Sequence, residues 1–202
     1  MTKVVGLTGG IASGKSTVSK MLSQVGFPIV DADLVAHRLQ QPGQPGFERL
    51  VDHFGRGILT GGGELDRSRL GQLAFGDPVA RDELNQAMQP LIREEIMAQV
   101  ANFKRTGVPV VVIDVPLLFE QHYDDDCDLT VVVTVDRAHQ LQRLQQRNGY
   151  DRVTALARID AQLPLTVKAA RADIVIDNNG DYHQLQKQVA QLVKRLHQAW
   201  LW

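Results

Sequence analysis

A chain of 202 residues that is 44% hydrophobic and 22% charged has the composition of an ordinary globular protein, and such a chain buries roughly 70% of its unfolded surface. Its 22 basic and 23 acidic residues leave a net charge of −1, so no bulk attraction to nucleic acid or to an anionic membrane surface is expected. Cys127 stands alone, which rules out an intramolecular disulfide and favours a reducing, cytoplasmic setting. The first eight residues carry one basic side chain and an apolar run broken by Gly6, too little for a signal peptide. The longest apolar stretch, residues 108–119, is 12 residues interrupted by Asp114, a core segment rather than a membrane span.

In chain order, residues 3–8 predict a short, nearly all-apolar strand. It runs into Gly9-Gly10-Ile11-Ala12-Ser13-Gly14-Lys15-Ser16, which satisfies G-x-x-x-x-G-K-[ST] and opens a helix predicted over residues 15–24. The chemistry explains the spelling. Glycines let backbone N–H groups curl around a polyphosphate, and the helix N-terminus adds the positive end of its dipole. Lys15 neutralises β- and γ-phosphate oxygens, and the Ser16 hydroxyl ligates Mg²⁺. The motif names no reaction, because switches, motors, ATPases and small-molecule kinases share it.

A second strand over residues 28–31 delivers Asp31 and Asp33 to its carboxyl end, the side of an open parallel sheet that faces ligands. An acid there can orient and deprotonate an attacking hydroxyl. Asp33 can equally cap a helix beginning near Leu34, and the residue pattern leaves both roles open. Residues 32–107 carry no convincing strand, only helical segments at 47–54, 67–75 and 78–105 with a Gly61-Gly62-Gly63 turn between the first two. That length is too great for a loop and predicts a helical insertion of about 34–107 that carries substrate selectivity.

A third strand, residues 109–115, ends four apolar residues on Asp114, in the manner of a strand that holds Mg²⁺ or its waters. Its alternative role is a turn before Pro116. Asp124, Asp125, Asp126 and Asp128 read as a solvated loop, since consecutive side chains diverge and Mg²⁺ prefers one or two carboxylates plus phosphate. After a strand at 129–135 come helical patterns at 137–148 and 152–162. Residues 137–171 hold seven basic side chains against Asp151 and Asp160, a local charge of +5. Arg143 and Arg147 lie four apart on one helix face, where they repel mildly and a polyphosphate would relieve them. This is the pattern of a mobile lid over ATP, the alternative being a surface helix with Arg147 paired to Asp151. A fifth strand at 174–177 precedes a helix at 182–197, with Leu185, Val189, Leu192, Val193 and Leu196 along one stripe.

Strands apolar on both faces, alternating with helices, predict a three-layer α/β domain built on a parallel sheet. Its core would comprise residues 1–33, 108–136 and 172–202, with a lid region of about 137–165. A guanine-nucleotide switch would need an Asn-Lys-x-Asp motif, and the chain has none. Asp177-Asn178-Asn179-Gly180 spells D-x-x-G but reads as a turn into the last helix. The six histidines are scattered without zinc-ligand spacing. What remains is a small kinase, its acceptor open among nucleoside monophosphates, nucleosides, shikimate-like alcohols and related hydroxyls.

Several stretches go further. Residues Leu7 to Thr17, Asp31-Ala32-Asp33, Gly63-Glu64-Leu65-Asp66-Arg67, Pro90-Leu91-Ile92-Arg93, Asp114-Val115-Pro116-Leu117-Leu118-Phe119-Glu120 and Ala172 to Gly180 resemble the dephospho-coenzyme A kinase family essentially from end to end. The resemblance implies a P-loop NTPase fold whose five-stranded parallel sheet has the order 2-3-1-4-5. It implies transfer of the ATP γ-phosphate to the ribose 3′-hydroxyl of dephospho-CoA, with Mg²⁺ held at Ser16. The implied catalytic set is Asp33 as base, Lys15 and the lid arginine Arg143. Gly9, Gly10, Ile11, Ala12, Ser13, Gly14, Lys15, Ser16 and Thr17 would hold ATP, and Thr8, Asp33 and Asp114 would face the substrate. Ala12 stands where the family often has Gly, a change tolerated if that backbone position is not left-handed. Gln89 stands where the family usually has His before Pro90.

Overall fold

Each of the five apolar runs forms a strand in the computed structural model, which describes residues 1–200; Leu201 and Trp202, the end of the expected core, lie outside the described residues. Strands β1 (Lys3–Gly9), β2 (Ile29–Asp31), β3 (Val110–Asp114), β4 (Leu129–Thr134) and β5 (Ile174–Asp177) share one sheet in the order β2-β3-β1-β4-β5. This is the order that the family resemblance implied. The central strand β1 pairs in parallel with β3, from Lys3 opposite Val110 to Leu7 opposite Asp114, and with β4, from Val5 opposite Leu129 to Gly9 opposite Val133. Parallel pairing buries both faces, and every residue of β3 is buried.

The helices are α1 (Lys15–Gln24), α2 (Ala32–Leu39), α3 (Pro45–Phe54), α4 (Arg67–Gly76), α5 (Pro78–Arg105), α6 (Arg137–Asn148), α7 (Arg152–Asp160), α8 (Leu165–Arg171) and α9 (Tyr182–Trp200). Two differ from expectation for identifiable reasons. Helix α2 starts at Ala32 because the Asp31 carboxylate accepts the Asp33 and Leu34 N–H groups, at 2.8 and 3.1 Å. Helix α8 was not expected, since its seven residues are too few for an apolar period and its one buried residue is Lys168.

The chain divides into two compact units. The first, residues 1–30 with those from 100 onward, contains the sheet. Val18, Met21 and Leu22 of α1 and Leu185, Val189, Leu192 and Leu196 of α9 join Val5, Leu7, Val131, Val133 and Ile176 in one core cluster. Each fully buried Leu or Val there contributes about 1.5–3 kcal/mol by leaving water. The edge strand β5 departs from the doubly covered pattern, with Val175 exposed. Asp173 ties its start to β4, its carboxylate accepting the Thr130 N–H at 2.7 Å and the Thr130 hydroxyl at 2.8 Å.

The second unit, residues 31–99, is helical. Leu50, Ile58, Met88, Ile92 and Ile96 are buried in it. Gly46 has no room for a side chain, as a Cβ there would stand 2.6 Å from the Leu39 carbonyl oxygen. The Gly61-Gly62-Gly63 turn is closed by an antiparallel bridge between Leu59 and Leu65. Pro90 lies within α5, where it removes one N–H from the helix ladder. Among the described residues, no helix is long and apolar enough to cross a membrane.

The Thr130 hydrogen bonds hold the Asp173 carboxyl below the ordinary carboxylate value. A carboxyl depressed by folding stabilises the native state above its unfolded pKa, and that contribution is lost as pH falls through the folded one. Urea unfolding followed below about pH 4 should therefore show a flatter acid decline for Asp173→Asn than for the wild type. Identical pH profiles would contradict this role.

Candidate active site

The turn from β1 into α1 is shaped by its glycines. Gly14, the residue before α1, has φ 95°, a left-handed value that glycine adopts without cost. It is also crowded, for a Cβ there would come 2.1 Å from the Asn178 amide nitrogen. Asn178 donates from that nitrogen to the Ser13 carbonyl at 2.8 Å, and the Ser13 N–H closes back on Gly10 at 3.1 Å. The turn at 177–180 thus braces the phosphate loop as well as leading into α9. Ala12, the family's frequent glycine position, has φ 60°. The condition for easy tolerance of that alanine is not met, and its backbone carries local strain.

One acid meets the loop through the sheet. Asp114, at the end of β3, is buried at 2% exposure, and its carboxylate forms an ion pair with the Lys15 ammonium. Asp114 thereby reaches the loop that follows β1, besides ending β3 before Pro116. The Thr8 hydroxyl donates to the Pro116 carbonyl at 3.1 Å. Ser16 lies exposed in the first turn of α1. Asp33 is exposed in the first turn of α2, in the second unit. Since Asp31 performs the capping of α2, the alternative role considered for Asp33 falls to its neighbour.

Helices α6 and α7 form a small core of their own, with Leu141, Leu144, Ala155 and Ile159 buried and Ile11 and Ala12 of the loop packed against them. Two glutamines complete the attachment. Gln162 accepts the Ile11 N–H at 2.8 Å, and Gln140 donates to the Ile11 carbonyl at 2.8 Å. Both hydrogen-bonding groups of that peptide are therefore committed to side chains. Arg143 donates to the Asn178 carbonyl at 2.9 Å. Arg147 bonds Asn148 at 2.9 Å, and Asp151 caps α7 through the Thr154 N–H at 2.7 Å, so the Arg147–Asp151 pair of the alternative reading does not form. Arg137 pairs instead with Asp160 at 2.7 Å.

Two of the loop acids have structural partners: Asp128 pairs with Lys3 at 2.7 Å and Asp124 with Arg171 at 3.1 Å. Burial and the charges of Asp126, Asp124, Asp128 and Asp173 push the Cys127 thiol up to about 12, which keeps it protonated and unreactive. Gln140, Gln162, Asn178 and Lys168 are the residues that sequence reasoning missed as parts of the site. Their only signal lay in Asn178, inside a stretch that resembles the family; Gln140 sits in α6 and Gln162 just past α7, where any polar residue fits the pattern.

The family model for dephospho-CoA kinase matches residues 3–184 of the chain. The chain is 44% identical over 195 residues to the dephospho-CoA kinase of Geobacillus kaustophilus, covering 96% of this chain and 97% of that one. Among solved structures it resembles TT1252 of Thermus thermophilus with a TM-score of 0.78 and 31% identity, over 96% of this chain and 98% of the other. It also resembles the dephospho-CoA kinase of Campylobacter jejuni, with a TM-score of 0.72 and 25% identity over 98% of each chain.

The left-handed backbone at Ala12 sets a test. A β-branched side chain at positive φ adds strain of about 1–3 kcal/mol, equivalent to roughly 5- to 150-fold in binding. Ala12→Val should weaken calorimetric affinity for ATP by a factor in that range, while Ala12→Gly leaves it within about 3-fold. Equal affinities for the two variants would mean that this torsion does not shape the loop.

Proposed function

The chain belongs to the dephospho-CoA kinase family, and we propose how its residues carry the phosphorylation of dephospho-CoA by ATP, which yields CoA and ADP. The observation that carries the reading is the Lys15–Asp114 pair at the joined ends of β1 and β3, inside a family match that spans the loop, both acids and the arginine helix.

The phosphate loop, Gly9 through Thr17, holds the ATP phosphates by its N–H groups and the α1 dipole. The Ile11 N–H, taken by Gln162, contributes to loop shape instead of phosphate contact. Lys15 spreads charge from the β- and γ-phosphates, and Asp114 holds that ammonium at the loop. Thr8 and Asp114 belong to the substrate side. Mg²⁺ suits the donors present, a first-turn hydroxyl on Ser16 and one nearby carboxylate on Asp114, since that ion keeps several waters and takes few protein oxygens. When bound it would supply charge neutralisation for the phosphates.

Asp33 accepts the proton of the ribose 3′-hydroxyl. The hydroxyl oxygen bonds to the γ-phosphorus, the bond from that phosphorus to the β–γ bridging oxygen breaks, and ADP leaves with the electron pair. Arg143 stabilises the charge on the transferring group. It lies on α6, the helix packed against the loop, and donates to the Asn178 carbonyl, two observations that support this role. Residues of about 137–165 act as the lid, and those of about 34–107 take the CoA-side portion of the acceptor. The reaction takes place in the cytoplasm, a setting consistent with one half-buried, protonated cysteine.

An ADP-release assay with Mg-ATP, run with dephospho-CoA beside AMP, CMP, uridine and shikimate, tests the acceptor. Product should form with dephospho-CoA alone and have the mass of CoA. Asp33→Asn should lower kcat by about 10²- to 10⁴-fold with ATP affinity retained, and unchanged turnover would remove Asp33 from the mechanism. Lys15→Ala should lose both affinity and rate; full activity would place ATP elsewhere.

A further inference from the structure

Lys168, the buried residue of α8, has no solvent exposure at all. Its ammonium has three protons to donate, and three acceptors meet it: the Pro116 carbonyl at 2.7 Å, Glu120 Oε1 at 2.8 Å and the Gly9 carbonyl at 3.4 Å. Gly9 is the last residue of β1 and the first of the phosphate loop, and Pro116 lies two residues past Asp114. The Pro116 carbonyl also accepts the Thr8 hydroxyl. Glu120 Oε1 accepts the Leu163 N–H at 3.0 Å, so the same carboxylate holds the turn before α8.

A buried ion pair is a poor way to gain stability, because removing two charges from water costs several kcal/mol per ion. Desolvation pulls the Lys168 ammonium below its ordinary value, the Lys15 charge adds to that, and Glu120 opposes it. The pairing is also incomplete, since Glu120 Oε2 is buried with no hydrogen-bond partner. An apolar side chain would fill the same slot more cheaply. What an apolar side chain cannot do is hold two backbone carbonyls from different strand ends at one point.

We propose that Lys168 is a positioning residue for phosphoryl transfer, tying the start of the phosphate loop at Gly9 to the Asp114-bearing segment at Pro116. Through those carbonyls it sets where the loop leaves β1 with respect to Asp114, and hence where Lys15 meets the phosphates. The inference rests on the reading of residues 9–17 as the ATP site. A chain displacement of about 1 Å at reacting groups costs on the order of 10²-fold in rate, so the effect belongs in kcat.

The test is the double variant Lys168→Met with Glu120→Gln, which removes both buried charges and leaves no carboxylate unpaired. Its urea midpoint should match or exceed that of the wild type, while kcat falls about 10²-fold and KM for dephospho-CoA stays unchanged. Lys168→Gln, which keeps a donor but no charge, serves if the double variant does not fold, and the same kcat-selective loss is expected of it. Wild-type kcat in either folded variant overturns the proposal. So does a loss of activity that follows the folded fraction alone. Failure of the wild-type chain to bind ATP, or full activity of Lys15→Ala, would instead overturn the ATP-site reading beneath it.

Discussion

The parallel register between β1 and β3 is the constraint on which the site depends. Leu7 opposite Asp114 puts the end of β3 two residues short of the end of β1, at the carboxyl end of the sheet, so that a loop leaving β1 and an acid ending β3 meet. Lys15 and Asp114 are far apart in the chain, and their ion pair exists because the two strands end together. Val110, Val111, Val112 and Ile113 before Asp114, and Val4, Val5 and Leu7 on the facing strand, are all buried. A one-residue slip would move Asp114 from its place opposite Leu7 and turn its carboxylate to the other face of the sheet. Packing thus enforces the electrostatics.

Around that pair the protein accepts local costs. Ala12 holds a left-handed torsion, Asp114 and Lys168 are charges held out of water, and the Ser13 hydroxyl is buried with no hydrogen-bond partner. None of these helps a fold whose stability comes from the α1–α9 cluster on the sheet. Charges in a water-excluded site interact more strongly than in solvent, which is the environment that phosphoryl transfer rewards. The strained and desolvated groups gather around the loop between β1 and α1.

Much of this was legible in residue order. The five strands, the phosphate loop and helices α1, α5 and α6 follow from apolar runs, glycine spacing and helical period, signals that act between near neighbours. Helix α8 escaped because the residue it buries is a lysine. The same holds for Gln140 in α6 and Gln162 just past α7, ordinary polar residues until the Ile11 backbone is brought against them. For Asp33, chain position offered two roles; the Asp31 cap removed one of them.

Sequence by itself determined the class of the sheet, the phosphate-binding turn and, through the resemblance, the family and its reaction. These are local patterns, decided by backbone torsions and by which faces must leave water. Tertiary structure alone decided the partners: Asp114 for Lys15, Asn178 for Ser13, two glutamines for Ile11, and the carbonyls of Gly9 and Pro116 for Lys168. Such contacts join residues from opposite ends of the chain. No periodicity marks them, since a polar side chain carries the same pattern whether water or a buried peptide satisfies it.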